Sequence, residues 1–294
     1  MYDIVIIGAG IAGLTSAIYA SRANKKVLIL EKQNYGGRII SAPHVKNYPG
    51  FLDISGVDLA TNLYVQATSL GAELVFEDAK SIQNGINKKV ITDKHEYECK
   101  SIIIATGLER RSLNIPGEKE LVGKGISYCA SCDGNFYKDK VVAVVGGGKS
   151  AIEDAEYLSN LASKVYLISR KDLEEKVEKD NIEVITNYSV DKINSSDTIE
   201  SIDITNSSDT KNIKIDGLFI AIGFDSSSEE FDSIIEVDDK GYIITDNTHT
   251  NLDGIFAAGD CCKKDLRQLV TAASDGAIAA TEAIKYIEKN KRTS

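Results

Sequence analysis

One pattern constrains this 294-residue chain more than any other, and it occurs twice. Near the start, Asp3-Ile4-Val5-Ile6-Ile7 runs into Gly8-Ala9-Gly10-Ile11-Ala12-Gly13. A helical stretch then reaches Arg22, and a second apolar run from Val27 ends at Glu31. The order is strand, glycine turn, helix, strand. A continuous run of β-branched residues fits a strand covered on both faces. Glycines at this spacing serve a tight turn, close approach of backbone to a diphosphate, and helix-on-strand packing. The diphosphate would rest on the helix N-terminus, where unpaired N–H groups and the dipole favour an anion. Glu31 stands 23 residues after Gly8, where a carboxylate accepts hydrogen bonds from a ribose diol.

The second occurrence is Lys140 to Val145, Gly146-Gly147-Gly148-Lys149-Ser150-Ala151, a helix through Leu161, and Val165 to Ile168. Here the position matching Glu31 is Ser169, followed by Arg170 and Lys171, so the acid that would hold a ribose diol is missing. Ile102-Ile103-Ile104 and Leu218 to Ile222 read as further apolar strands ending in glycine turns, and Ser195 to Lys214 as hairpin strands joined by polar turns. The expected fold is α/β: two Rossmann-like, three-layer nucleotide-binding domains, the second inserted into the first. Hinges near Pro116-Gly117 and Asp238 to Gly241 place the outer domain at 1–112 and 243–294 and the central domain at 113–242.

Charge and composition remove other classes. Lys and Arg number 34 against 44 Asp and Glu, a net −10, which is wrong for neutralising nucleic-acid phosphates. No apolar stretch approaches the ~18 residues of a membrane span, and no cationic leader precedes the first apolar run, so the expectation is a soluble, cytoplasmic protein.

Five cysteines, Cys99, Cys129, Cys132, Cys261 and Cys262, are too few for a disulfide scaffold at this length. Cys129-Ala130-Ser131-Cys132 puts two sulfurs one helical turn apart, which suits a reversible disulfide with Cys129 near a helix start. Structural zinc would need four ligands, and neither Cys261-Cys262 nor His44, His95 and His249 has the spacing to complete such a site. Two ordinary core cysteines are the plainer alternative.

The ordered set Gly8-x-Gly10-x-x-Gly13, Gly36-Gly37, Asn47-Tyr48-Pro49-Gly50, Ala105-Thr106-Gly107, Cys129-Ala-Ser-Cys132-Asp133, Gly146-Gly-Gly148-x-x-Ala151, Gly254 to Asp260 and Arg267-Gln268 resembles the bacterial low-molecular-weight thioredoxin reductases over essentially the whole chain. The resemblance implies FAD in the outer domain. It assigns Gly8, Gly10, Ala12 and Gly13 to the diphosphate turn, Glu31 to the adenosine ribose and Asp260 to the ribityl chain. Gly37, Asn47, Ala105, Thr106, Gly107, Gly259, Arg267 and Gln268 complete the implied cofactor site. A helix from about Val270 to Ile287 would point its positive end at the flavin ring. The resemblance further implies that Cys132 receives electrons from the flavin. Cys129 attacks the thioredoxin disulfide after the central domain turns outward, and Asp133 moves the proton. It implies a homodimer as well.

One loop departs from the family. The NADPH-dependent members read the 2′-phosphate with a His-Arg-Arg run and a later Arg; here Ser169 replaces the His, Lys171 an Arg, and Glu175 the last Arg. A carboxylate repels a phosphate, and Lys lacks the bidentate fork of Arg. That pattern resembles the ferredoxin-dependent flavin thioredoxin reductases, making reduced ferredoxin the expected donor and NAD(P)H the alternative. Lys25-Lys26, Arg110-Arg111 and Lys263-Lys264 with Arg267 are the candidate docking cations. A flavin-dependent dithiol oxidase and a redox-sensing flavoprotein remain as further readings.

Overall fold

Both apolar runs become the central strands of parallel sheets in the computed structural model, which describes residues 1–173, 175–226 and 229–291. The chain divides into two compact units: Met1–Glu109 with the described residues from Asp225 onward, and Arg110–Phe224.

In the outer unit, β1 (Tyr2–Ile7), α1 (Ile11–Arg22) and β2 (Val27–Glu31) form the first strand-turn-helix-strand. After them come α2 (Gly56–Ser69), β3 (Glu73–Phe76), β4 (Ala79–Gln83), β5 (Lys88–Thr92) and β6 (Glu96–Ile104). The sheet order is β3-β2-β1-β6-β5-β4, with β1 parallel to both β2 and β6, and β4 and β5 added antiparallel. Alternation explains the unbroken hydrophobicity of β1. Ile4 and Ile6 pack in the cluster that contains α1, whereas Val5 and Ile7 pack in the one that contains Ile82 and Val90 from the hairpin.

After β7 (Leu108–Arg110), the central unit contributes β8 (Ile126–Ser127), α3 (Ala130–Asp133), β9 (Val141–Val145), α4 (Lys149–Ser159) and β10 (Lys164–Ser169). It continues with β11 (Ile182–Thr186), β12 (Ser189–Ser195), β13 (Ile199–Thr205), β14 (Thr210–Lys214) and β15 (Gly217–Ile220). The parallel sheet β11-β10-β9-β15-β8 is covered on one face by α3 and α4. The antiparallel sheet β12-β13-β14 covers the other through Val190, Ile193, Ile202 and Ile204. The polar stretch expected to form hairpin strands therefore forms a three-stranded layer that begins at Ser189.

The returning chain has β16 (Phe224–Ser226), which pairs with β7, then β17 (Ile255–Ala257) and α5 (Leu269–Lys291). β17 adds in parallel to β6, and α5 packs on α1. Both unit edges differ from the hinges expected from sequence. Leu113 and Ile115 pack on the central core, in keeping with the expected start at 113, and the edge itself lies between Glu109 and Arg110, ahead of Pro116-Gly117. Phe231 and Ile235 are buried in the outer core, so the second edge lies at 224–225. Asp238 to Gly241, whose polarity suggested a linker, is a tight turn in which Asp238 Oδ1 accepts from the Lys240 and Tyr242 amides. Among the described residues no helix is long and apolar enough to cross a membrane.

Candidate functional site

In the outer unit the first glycine turn is built by close backbone approach. Gly8 has φ +105°, and a Cβ there would lie 2.3 Å from the Ala105 carbonyl oxygen. That approach joins the turn to the Ala105-Thr106-Gly107 segment, whose Ala105 amide donates to Ile7 O at 2.7 Å. Gly10 has open space around its Cα. The Gly36 amide donates to Ala9 O at 2.7 Å, and a Cβ on Gly37 would lie 3.4 Å from Gly10 Cα. A Cβ on Gly259 would come within 2.9 Å of the Ala12 methyl. Asn47 Nδ2 donates to Gln268 Oε1 at 3.0 Å, which ties the Asn47 loop to the entry of α5. Residues spread from 8 to 259 thus meet around the first glycine turn, and Asn47 meets Gln268.

Glu31 has a different immediate task from the one expected. Its Oε2 accepts from the Ala9 amide at 2.8 Å and its Oε1 from the Gln33 amide at 2.9 Å, so the carboxylate holds the turn in shape. Each oxygen keeps a second lone pair for a ligand hydroxyl. Arg267 also works on the protein. Its guanidinium donates to Lys264 O at 3.0 Å and Cys262 O at 3.2 Å, and it lies over the Tyr242 ring. Asp260 is paired through Oδ2 with Arg38, whereas its Oδ1 is buried without a hydrogen-bond partner. The Gly259 amide is held by Asp275 Oδ2 at 3.0 Å, and Asp275 is in turn paired with Lys264. Arg38 and Asp275 went unread in the sequence, and Lys264 was expected only as a docking cation; Arg38, directly after Gly36-Gly37, carried the one local signal.

In the central unit Cys129 and Cys132 form a disulfide with Cα atoms 5.3 Å apart. Cys129 is the N-cap of the single turn α3, half-buried, while Cys132 is exposed. Ser127 organises the turn: its hydroxyl donates to Asp133 Oδ2 at 2.7 Å and accepts from the Cys129 amide at 3.0 Å. The catalytic trio expected from sequence is therefore gathered on one turn, with Asp133 oriented by a residue that the sequence reading did not single out. The remaining cysteines lie in the outer core. Burial pushes the Cys99 thiol up to about 12, and the Cys262 thiol is raised by its hydrogen bond to Cys261 and by burial.

The second glycine turn, Gly146 to Gly148, leads into α4, and Gly148 caps the helix with open space at its Cα. At the end of β10, Ser169 Oγ accepts from the Lys171 amide at 3.2 Å. That is the position and the two-residue reach of Glu31 onto Gln33 in the outer unit. Arg170, Lys171 and Glu175 are exposed, and Glu174 lies outside the described residues.

The family model for pyridine nucleotide-disulphide oxidoreductases matches residues 2–276. The chain belongs to this family. A thioredoxin reductase of Listeria innocua is 41% identical over 304 residues, covering 99% of this chain and 95% of the relative. The thioredoxin reductase structure from Streptococcus pyogenes superposes with a TM-score of 0.94 at 38% identity, covering 98% and 99% of the two chains. A ferredoxin-flavin thioredoxin reductase from Clostridium acetobutylicum gives 0.56 at 35% identity, covering 99% and 98%.

Thioredoxin reductases of the pyridine nucleotide-disulphide oxidoreductase family are FAD flavoproteins. The outer unit fits that cofactor. Gly10 offers an unobstructed approach at the N-terminus of α1, and the buried, unpartnered Asp260 Oδ1 is an acceptor suited to a polyol hydroxyl.

Proposed function

We propose that this chain is an FAD-dependent thioredoxin reductase that takes electrons from NAD(P)H and delivers them through Cys129 and Cys132 to thioredoxin. The observation that carries the reading is the Cys129–Cys132 disulfide on a one-turn helix with the Asp133 carboxylate held beside it by Ser127. FAD, when bound, would supply the two-electron chemistry that links a nicotinamide hydride to a disulfide as an electron pair. Cys132 receives that pair, the Cys129–Cys132 bond opens, and Cys129 becomes the attacking thiolate. It attacks one sulfur of the thioredoxin disulfide. Cys132 then displaces thioredoxin as a dithiol and re-forms the original bond. Asp133 holds the proton that each departing sulfur requires. The residues of the outer turn would hold FAD, Glu31 toward its adenosine ribose and Asp260 toward its ribityl chain.

Three observations favour a nicotinamide donor over ferredoxin. The second glycine turn is intact and open at Gly148. Arg170 and Lys171 stand exposed at the end of β10, where a 2′-phosphate is read. Several cations expected to dock an acidic ferredoxin are already paired: Lys25 with Glu288 at 3.0 Å, Lys264 with Asp275, and Arg267 with backbone carbonyls. Arg111 and Lys263 are exposed, and the Arg110 side chain lies outside the described residues. One feature favours ferredoxin: no helix forms among the described residues between β10 and β11, and that loop carries Glu175.

Anaerobic bleaching of the flavin by NADPH, NADH or reduced ferredoxin, followed by addition of oxidised thioredoxin, tests the reading. Bleaching by a nicotinamide and recovery of the yellow colour with thioredoxin is the expected result. Bleaching by ferredoxin alone would replace the donor, and a failure of thioredoxin to reoxidise the protein would remove the function.

A further inference from the structure

We infer that Glu118 is a positioning residue for the redox turn: through the Tyr128 hydroxyl it fixes the chain just before Cys129, and with it the direction from which that sulfur attacks thioredoxin. The inference rests on the thiol-exchange reading and adds to it a residue that acts through another.

Glu118 is placed by a turn of its own. It closes Ile115-Pro116-Gly117-Glu118, where its amide donates to Ile115 O at 3.1 Å and Gly117 has φ +87°. That is the pattern of a type II turn, with proline and glycine at the two positions that favour them. The residue is 2% exposed. Its Oε1 accepts from the Leu113 amide at 3.1 Å and from the Tyr128 hydroxyl at 2.7 Å, and Oε2 lies 3.5 Å from the Ile115 amide.

Tyr128 is the last residue before the disulfide. β8 ends at Ser127, in parallel register with Phe219 of β15, and α3 begins directly after Cys129. Successive side chains of an extended chain point to opposite faces. Ile126 and Tyr128 pack in the cluster that includes the antiparallel layer. Ser127 turns the other way, to Asp133 Oδ2 and the Cys129 amide, and Ala130 packs in the cluster with α4. The residues that lead into the disulfide are therefore held from both faces, by Ser127 on one and by Tyr128 on the other. Apolar packing alone would let the Tyr128 ring slide; its hydroxyl pins the far end to a carboxylate whose own backbone is fixed.

Folding alone does not explain a carboxylate here. Its described donors are neutral, and an apolar residue of the same volume would avoid the cost of desolvating a charge. What the carboxylate adds is a short, strong O–H···O⁻ bond, suited to a contact whose task is orientation. Disulfide exchange demands such orientation, because the attacking sulfur must approach one sulfur of its target in line with the bond that breaks.

The test uses purified holoprotein, wild type against Tyr128→Phe, Glu118→Ala, Glu118→Gln and the Glu118→Ala, Tyr128→Phe double variant. Each is titrated to full reduction with dithionite and mixed with oxidised thioredoxin over a range of concentrations. The single-turnover rate is read from the return of the yellow colour. Tyr128→Phe removes one hydrogen bond and keeps the ring. It should lower the maximal rate about tenfold, as expected for loss of a hydrogen bond to a charged group, with the half-saturating thioredoxin concentration unchanged. Glu118→Ala should lose as much, Glu118→Gln less because its amide oxygen still accepts, and the double variant no more than Glu118→Ala. Alkylation of reduced Cys129 by iodoacetamide, followed by mass spectrometry, should keep its wild-type midpoint in pH, since so small a reagent needs no orientation. Wild-type rates in Tyr128→Phe would overturn the inference. So would losses that add in the double variant, or an alkylation midpoint that moves with the rate, which marks a charge effect on the thiol. If melting curves show Glu118→Ala unfolded, Tyr128→Phe and Glu118→Gln decide the matter. If the wild-type protein reduces no thioredoxin, the functional reading fails, and this inference with it.

Discussion

Two glycines three residues apart should respond to the same substitution in opposite ways. A Cβ on Gly13 would lie 1.9 Å from Gly8 O, so α1 would have to move by more than an ångström to restore an ordinary contact. Neither side can yield. Gly8 is tied to Leu30 O at 2.7 Å and packed on Ala105, and α1 is backed by α5, where a Cβ on Gly276 would already come within 2.2 Å of Ala12 O. Overpacking against fixed backbone costs about 3 kcal/mol or more. For a unit of this size, Gly13→Ala should lower the melting temperature by about 6–12 °C, with or without cofactor. Gly10→Ala meets nothing within 4 Å. Its effect on the FAD-free protein should be about 1 kcal/mol or less, the difference between two cap residues. The same methyl occupies the space through which the diphosphate approaches, so FAD affinity should fall sharply. Differential scanning fluorimetry of stripped protein and a fluorescence titration with FAD measure both effects. If Gly13→Ala melts with the wild type, the packing argument is wrong; if Gly10→Ala binds FAD normally, the diphosphate does not cross Gly10.

Cys129→Ser should abolish thioredoxin reduction while leaving donor bleaching of the flavin intact, and retained turnover in the coupled assay would refute the assigned order of thiols. Burial on α4, with Glu153 beside it, pushes the Asp154 carboxyl up to about 6. The folded form then holds this proton more tightly than the unfolded chain, so stability is lost as pH rises from about 4 through 6. Asp154→Asn should therefore stabilise the protein by about 1–3 kcal/mol at pH 7, and the gain should vanish toward pH 4. A melting curve that responds equally at both pH values would contradict this. Lys88 is fully buried, with its ammonium 3.1 Å from the Tyr286 hydroxyl and above that ring. Tyr286→Phe should cost about 1.5–3 kcal/mol in urea unfolding, and adding Lys88→Met should restore most of it.

The elements nearest the glycine turns were legible in the sequence because strands covered on both faces must be apolar throughout. β1, β9 and β15 announce themselves that way, and the turns follow from the glycines that end or follow them. The unit edges were less legible, because a polar Asp238 to Gly241 looks alike whether it links domains or closes a tight turn. Only the burial of Phe231 and Ile235 distinguishes the two. The expected cofactor residues of the outer unit do come together, yet the groups that hold them were hidden. Arg38 meets Asp260 across 222 residues, and no local periodicity encodes that pairing. Ser127 acts on Asp133 over only six residues, but a serine before a turn carries no mark that separates orienting a carboxylate from capping.

The outer unit is interrupted by the central one, and this has a consequence during synthesis. β6 gains its parallel neighbour β17, and α1 its packing partner α5, only after residues 255–291 have been made. At ordinary elongation rates the half-finished sheet waits roughly ten to forty seconds with the Ile102–Ile104 edge of β6 unpaired. The contiguous segment 110–224 carries its whole core within itself and can close during that interval. A nascent chain stalled near residue 240 would then pair a folded middle with a sticky, incomplete beginning, the species most prone to association with its neighbours on the same message.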